Sequence, residues 1–308
     1  MRSSKIAELK SLTSARGIAA WLVVLYHIRS GMDWAPRELV HFLGKGYLAV
    51  DFFFLLSGFV IYLTAHRAFL REGSAAAPAF LMRRIARVYP LYAVMLMATL
   101  AFALIVHATG REAGNYPLSE LPLHILMLQN WGFTSELSWN HPAWSISTEF
   151  AAYVIFPALL LWTPISRARR PNLLAAMILL IALLYLGLRA GGETHLGGDI
   201  ARFGLLRCLT EFSCGACLCA FWLRGPDGEP RALGFATAGL GMALLMPLLA
   251  PATLALAWPA GLVCATLALA HLSTLRRRPM PWRMDGDARL WVRRPLWLRR
   301  PDRKSTRL

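Results

Sequence analysis

The sequence predicts an all-α fold, a polytopic bundle of membrane-spanning helices, and three observations lead there. Hydrophobic residues make up 56% of the 308 and charged residues only 16%, where a soluble domain carries about 45–50% apolar and about 25% charged side chains. Mean hydropathy is +0.46. Apolar runs of about 20 residues, the length that crosses a bilayer, recur along the chain. A soluble protein of this length would hold about two domains, and that class is set aside.

Eight full spans are expected, at 15–29, 46–65, 88–108, 144–163, 173–189, 201–222, 231–249 and 251–272. The first follows Lys5 and Lys10 as a secretory signal would. It carries Arg16 near its start and lacks an A-x-A cleavage site, so it reads as a retained helix. Between the third and fourth spans, Leu121 to Phe133 is apolar but short and holds Pro122, His124, Gln129 and Asn130. It reads as a partial or re-entrant segment. Loop charge supplies the orientation. Arg67, Arg71, Arg83, Arg84 and Arg87 fall between spans two and three, and Arg167, Arg169 and Arg170 follow span four. Arg224 and Arg231 flank a later loop, and Arg276 to Arg278 follow the last span, whereas residues 190–200 hold Glu193 and Asp199 and no Lys or Arg. With the N-terminus in the cytoplasm, all these basic loops lie inside only if 121–133 does not cross. The expectation is eight spans and one partial segment in the cytoplasmic (inner) membrane.

The net charge of +16 has two possible sources. A basic surface can neutralise nucleic-acid phosphates, and basic loops can line the cytoplasmic side of spans. Residues 273–308 alone hold twelve Lys and Arg against three acids, a net of +9. No basic stripe with interleaved aromatics occurs elsewhere, so a nucleic-acid partner is not expected. Residues 1–275 are taken as the membrane domain and 276–308 as a basic tail. The terminal D-R-K-S-T-R-L, Asp302 to Leu308, is what one frame of a short-read sequencing adapter encodes, so the natural C-terminus is expected to be missing. Resequencing the locus tests this, and an in-frame stop just after Leu308 overturns it. The five cysteines sit in apolar stretches. Cys214 and Cys217 form a C-x-x-C, but no second ligand pair accompanies it, so no metal is expected. Small residues that let helices approach closely are the reading preferred.

A charge inside a span costs about 2.5–3.5 kcal/mol on insertion scales, so each is a candidate for function. Arg16 and His27 lie eleven residues apart in the first span, nearly on one helical face and about 16 Å apart along the axis. Asp51 begins the second span at about the depth of His27. A carboxylate beside an imidazole fixes its tautomer and suits it to act as a general base; the alternative is a structural pair satisfying two buried groups. Glu149 falls at the same end of its span, so His27, Asp51 and Glu149 are the expected catalytic group. Arg84 and Arg87 stand one turn apart at the entrance of the third span. Their guanidinium forks suit phosphates, and plain positive-inside anchoring explains them equally well. Ser57-Gly58 lacks the strand–turn–helix setting of a nucleophile elbow and reads as a packing notch. Ser57 and Trp144 are placed along the substrate channel.

Four motifs carry a resemblance. R-G-I-A-A-x(6)-H from Arg16, G-Y-L-A-V-D-F-F-F-L-L-S-G-F-V-I from Gly46, R-R-I-A-R-V-Y-P-L-Y from Arg83 and W-S-I-S-T-E-F-x-x-Y from Trp144 together resemble the membrane acyltransferase-3 family. The resemblance covers Leu12 to Pro157, and the later spans are compatible with it. It implies an O-acyltransferase that moves an acyl group, often acetyl, from cytosolic acyl-CoA to a hydroxyl of a surface or exported glycan or glycolipid. Acyl-CoA enters as a co-substrate, with no cofactor held tightly. Arg16 and His27 would be the family's first-helix pair, and Arg84 and Arg87 its R-x-x-R, with Arg16, Arg84 and Arg87 holding the CoA phosphates. The resemblance also raises Asp51, Trp144 and Glu149 as site residues. Two departures stand out. The last helix of the family, with its S-Y-x-x-Y-L-x-H-like motif, is replaced by G-D-A-R-L-W-V-R-R-P-L-W-L, as a frameshift would produce, and no hydrolase-like domain follows. A transporter of a glycan precursor or small acid and a non-catalytic assembly partner are the alternatives.

Overall fold

The computed structural model describes residues 9–110, 115–224, 261–267 and 270. Its described elements are all helical. They comprise α1 (Lys10–Ile28), α2 (Arg37–Leu43), α3 (Ala49–Glu72), α4 (Ala77–Ala108), α5 (Leu121–Ile125), α6 (Trp144–Trp162), α7 (Arg170–Ala190) and α8 (Ile200–Leu223). Five helical stretches are long and apolar enough to cross a membrane: Ser11–Gly31, Arg37–Ala108, His141–Trp162, Arg170–Ala190 and Ile200–Leu223. The second folds back at the short turn Gly73–Ala76, so α3 and α4 run antiparallel within it. Gly73 makes that reversal possible with a φ of +60°, a conformation a side chain would oppose.

Six of the eight expected spans thus coincide with α1, α3, α4, α6, α7 and α8. The span expected at 231–249 lies outside the described residues, as do most of 251–272 and the tail 276–308; within 251–272, residues 261–267 are helical. One boundary is corrected. The loop expected between spans two and three shrinks to four residues, because α3 continues to Glu72 and α4 begins at Ala77. Arg83, Arg84 and Arg87 therefore belong to a helix. The run F-L-M-R-R-I-A-R-V is made of good helix formers, with Phe80 buried against α3 and α6 through Phe69 and Phe156.

α8 is the hub. It packs most extensively on α3, then on α7 and α6. Glycines set the closeness of its crossing with α3: a Cβ on Gly58 would stand 1.9 Å from the Phe212 carbonyl oxygen, and one on Gly215 would stand 1.9 Å from that of Leu55. Cys208, Cys214, Cys217 and Cys219 are buried free thiols on the same helix, where their small size serves the packing. The other helices turn apolar side chains outward. Leu91, Val94, Met97 and Ile105 of α4 and Leu179, Leu183 and Leu186 of α7 are more than half exposed, as lipid-facing surfaces are. The chain is a multi-pass membrane protein.

Among its described residues, the segment between α4 and α6 holds the five-residue α5 as its α-helix. Irregular backbone near a bilayer must find partners inside the protein, and here it does. Tyr89 and Tyr92 donate to the carbonyls of Ile125 and His124 at 3.0 and 2.6 Å. The Asn130 N–H donates to Ser147 Oγ at 3.2 Å, while that hydroxyl donates to the Met127 carbonyl at 2.9 Å. Trp131 Nε1 donates to the Ser147 carbonyl at 3.0 Å, and Asn130 Nδ2 to that of Ile200 at 3.2 Å. The segment is a polar cap pinned to the middle of α4 and over the starts of α6 and α8.

Candidate active site

Chain direction alternates from helix to helix, so the end of α1 and the starts of α3, α6 and α8 share one end of the bundle. Asp51, Glu149 and Arg207 lie near that end, within two turns or so of their helix starts. Arg84 and Arg87 lie toward the opposite end, near the start of α4.

Asp51 is fully buried and bonded to a residue that the motifs do not contain. Arg207 of α8, only 2% exposed, donates through Nε to Asp51 Oδ1 and through Nη2 to Oδ2 at 2.8 Å. Its remaining donors reach the carbonyls of Leu196 at 3.0 Å and Tyr47 at 3.3 Å. The guanidinium carbon stands 5.7 Å from the Trp144 ring centroid and 5.9 Å from that of Tyr47. One turn along α8, Glu211 is buried beside Asp51 and Arg207. This bidentate, stacked arrangement suits arginine and not lysine.

The expected pairing of His27 with Asp51 is not formed: Asp51 takes Arg207 of α8, and His27 bonds within its own helix. His27 lies on an exposed face of α1, and its Nδ1 bonds the Val23 carbonyl at 2.8 Å. A carbonyl can only accept, so Nδ1 carries the hydrogen and Nε2 of the neutral ring holds the free lone pair. A backbone carbonyl thus fixes the tautomer that a carboxylate was expected to fix. The link to Asp51 is indirect. Tyr26 meets the His27 ring edge-on at 5.0 Å and Tyr47 at 6.1 Å, and Tyr47 lies against Arg207. Gly46 seats this turn on α1, where a Cβ would come within 2.6 Å of the Leu22 carbonyl oxygen.

A second cluster joins three residues predicted for separate roles. Ser57 of α3 donates to Glu149 Oε1 of α6 at 2.6 Å. The Tyr153 hydroxyl, one turn along α6, interacts with both. Arg84 of α4 lies in the electrostatic reach of Tyr153 and Glu149, with Arg87 nearby. Arg84 is half-buried, its Nε has no hydrogen-bond partner, and its guanidinium carbon lies 5.7 Å from the Phe80 ring. Arg87 is exposed. Arg16 is exposed on α1, and among the described residues no contact joins it to this cluster. Ser57 and Gly58 divide their work: Gly58 is the packing notch against α8, and Ser57 faces Glu149. Trp144 touches Phe54 and the Arg207 guanidinium, which places it beside the buried ion pair.

Tyr153, Arg207 and Glu211 were not singled out from the sequence. Arg207 and Glu211 stand four residues apart inside an apolar span, and the rule that flags intramembrane charge applies to both.

Comparison with known proteins decides the family: the family profile described as an acyltransferase domain matches residues 9–294. The chain belongs to the acyltransferase-3 family. Among relatives of this acyltransferase-3 chain is the acyltransferase MdmB of Streptomyces mycarofaciens, 33% identical over 50% of the chain and 39% of the relative. Protein 2 in the picA locus of Rhizobium radiobacter is 36% identical over 32% of the chain and 48% of its own length. The peptidoglycan O-acetyltransferase OatA of Listeria monocytogenes is 25% identical over 56% of the chain and 27% of its own length. In each case the chain spans less than half the relative's length. No solved structure matches the chain.

Proposed function

We propose that this acyltransferase-3 chain moves an acyl group, acetyl by preference, from cytosolic acyl-CoA to a hydroxyl of a surface or exported glycan, with its N-terminus in the cytoplasm of the cell that carries it in its cytoplasmic membrane. The carrying observation is the polar column through the bundle. Arg84 with Arg87 stands toward one end, Tyr153, Glu149 and Ser57 lie between, and the helix ends bearing His27 and Asp51 form the other. The relationship to OatA supports an O-acetyl transfer and a glycan acceptor.

The chemistry follows from the side chains. Arg84 and Arg87, with Arg16 facing the same end, hold the phosphates of CoA through charge-assisted bonds. The acyl arm extends along the column toward Glu149. At the other end, His27 Nε2 takes the proton of the acceptor hydroxyl. The hydroxyl oxygen forms the ester bond to the acyl carbon, the C–S bond breaks, and CoA leaves as a thiolate that is then protonated. The Arg207–Asp51 pair acts on His27 through the Tyr47 turn rather than by contact.

The test uses membranes containing the chain, radiolabelled acetyl-CoA and their own glycans. Wild type transfers label to the glycan fraction. His27→Ala reduces transfer at least a hundredfold, within the loss expected for a general base, while still binding acetyl-CoA. Arg87→Ala weakens acetyl-CoA binding. Full transfer by His27→Ala overturns its assignment as base, and wild-type membranes that move no label overturn the acyltransferase reading.

A further inference from the structure

Between the cap and α4 lies an open surface groove whose lining the mechanism above leaves unused. It has a volume of about 420 Å³ and lies among Thr99 and Phe102 of α4 and Tyr116, Trp139, Asn140 and His141 of the cap. This is the size of a small-molecule site. Asn140 and His141 also line an adjoining recess of about 10 Å³, bounded by His124, Gln129, Ser138 and Trp144, which has room for about one hydroxyl or water.

Two side chains aim unfulfilled polar atoms there. Gln129 is 5% exposed and uses its Nε2 on Tyr92 Oη and the Ala143 carbonyl, while its Oε1 has no hydrogen-bond partner. His124 is 1% exposed and uses Nε2 on Ser138 Oγ at 3.1 Å, while its Nδ1 has none. Buried polar atoms are seldom left in that state, and each unsatisfied one asks for an explanation. Ser138 itself donates to Glu120 Oε2. Two residues here take a positive φ without being glycine, Met127 at 56° and Trp139 at 56°, a strain that persists only where the surroundings over-determine it.

The lining chemistry selects the ligand class. Two amides, two imidazoles, hydroxyls, the Glu136 carboxylate and aromatic rings offer directional hydrogen bonds and flat apolar faces. Among the described residues no Lys or Arg lines either space, so there an anionic group finds no Lys or Arg counter-charge. A polyhydroxylated ring matches this lining, with one hydroxyl entering the recess. Trp144, which walls the recess, also lies against the Arg207 guanidinium, so the site borders the buried pair. We propose that this cap groove binds the carbohydrate acceptor, with Asn140 and His141 as its specificity contacts. This rests on the acyl-transfer reading and adds the place where the sugar sits.

The experiment adds increasing amounts of purified surface-glycan fraction to the same membranes at saturating radiolabelled acetyl-CoA. Asn140→Ala and His141→Ala are compared with wild type, and equilibrium binding of acetyl-CoA is measured on each. The expected result is an apparent KM for glycan raised at least tenfold, a kcat within about threefold of wild type, and acetyl-CoA binding within twofold. Unchanged glycan KM overturns the site. A fall in kcat together with acetyl-CoA binding also overturns it, since that marks a purely structural cap. Wild-type membranes that bind acetyl-CoA yet label no glycan at any concentration remove the acyl-transfer reading first, and the acceptor site with it.

Discussion

At the scale of single residues, two buried groups make opposite demands on the solvent. Arg207 and Asp51 form an ion pair with almost no exposure, and such pairs are costly to break from one side because the survivor is left as an unpaired buried charge. Asp51→Asn or Arg207→Leu is expected to destabilise the folded protein by about 3–5 kcal/mol, read as a lowered melting midpoint in detergent. Arg207→Lys keeps the charge but loses the bidentate fork, the Leu196 contact or the Tyr47 contact, so partial stability with impaired transfer is expected. A melting midpoint for Asp51→Asn equal to wild type contradicts the pairing. His124 responds to pH instead. Burial lowers its pKa from 6.5, and the charge of Glu120 offsets this only in part. The unfolded cap therefore binds more protons than the folded one between the lowered value and 6.5. The contribution of His124 to cap stability is fully present above 6.5 and is lost as pH falls through the folded pKa. Protection factors over residues 121–140, which divide out the intrinsic slowing of exchange at lower pH, should fall between pH 7.5 and pH 5, and His124→Gln should flatten that difference. Equal pH response in the two proteins overturns the assignment.

Among the helices, the contact that decides the bundle is the crossing of α3 and α8. Neither Gly58 nor Gly215 has room for a Cβ, and in each case the obstacle is backbone of the facing helix, which cannot rotate away as a side chain would. Ordinary overpacking costs about 1–3 kcal/mol, and Gly58→Leu or Gly215→Leu should exceed that range. Loss of monodisperse protein on extraction is the expected readout, with Gly17→Ala as the control because a Cβ there meets nothing within 4 Å. Behaviour of Gly58→Leu indistinguishable from that control refutes the close crossing. The elements were largely legible in the sequence, since apolar runs and their lengths fix which segments cross. The azimuth of a side chain was not. His27 and Asp51 were matched by depth along their helices, but depth leaves rotation about each axis free, and α8 supplies the partner that Asp51 takes. Arg207 was hidden for the same reason: its helix follows the motif-bearing half, and nothing local ties it to a residue 156 positions earlier. Glu149 and Ser57 were legible as polar residues in spans, whereas their bond to each other needed the helix packing.

For the whole molecule, the proposed transfer gives each end of the bundle a different partner, and this has a consequence for orientation. The turn at Gly73–Ala76, the start of α7 at Arg170 and the end of α8 lie at the end where Arg84 and Arg87 lie. Arg224 ties that end together by donating to the carbonyls of Ile165 and Ser166 at 3.0 and 2.6 Å. The basic side chains Arg71, Arg83 and Arg167 flank the same turns, as cytoplasmic loops require. The cap at 115–143 occupies the other end. On the proposed transfer, acetyl-CoA enters from the cytosol and the glycan acceptor lies outside, so the donor end faces inward and the cap outward. Ser74 and Ser135 are exposed positions at the two ends, and among the described residues all five cysteines are free, four of them buried. A membrane-impermeant maleimide applied to intact cells should label Ser135→Cys at least tenfold more than Ser74→Cys, and permeabilisation should equalise the two. Labelling of Ser74→Cys alone in intact cells inverts the orientation. It would place the Arg pair on the wrong side of the membrane for its donor, which the proposed direction of transfer does not survive.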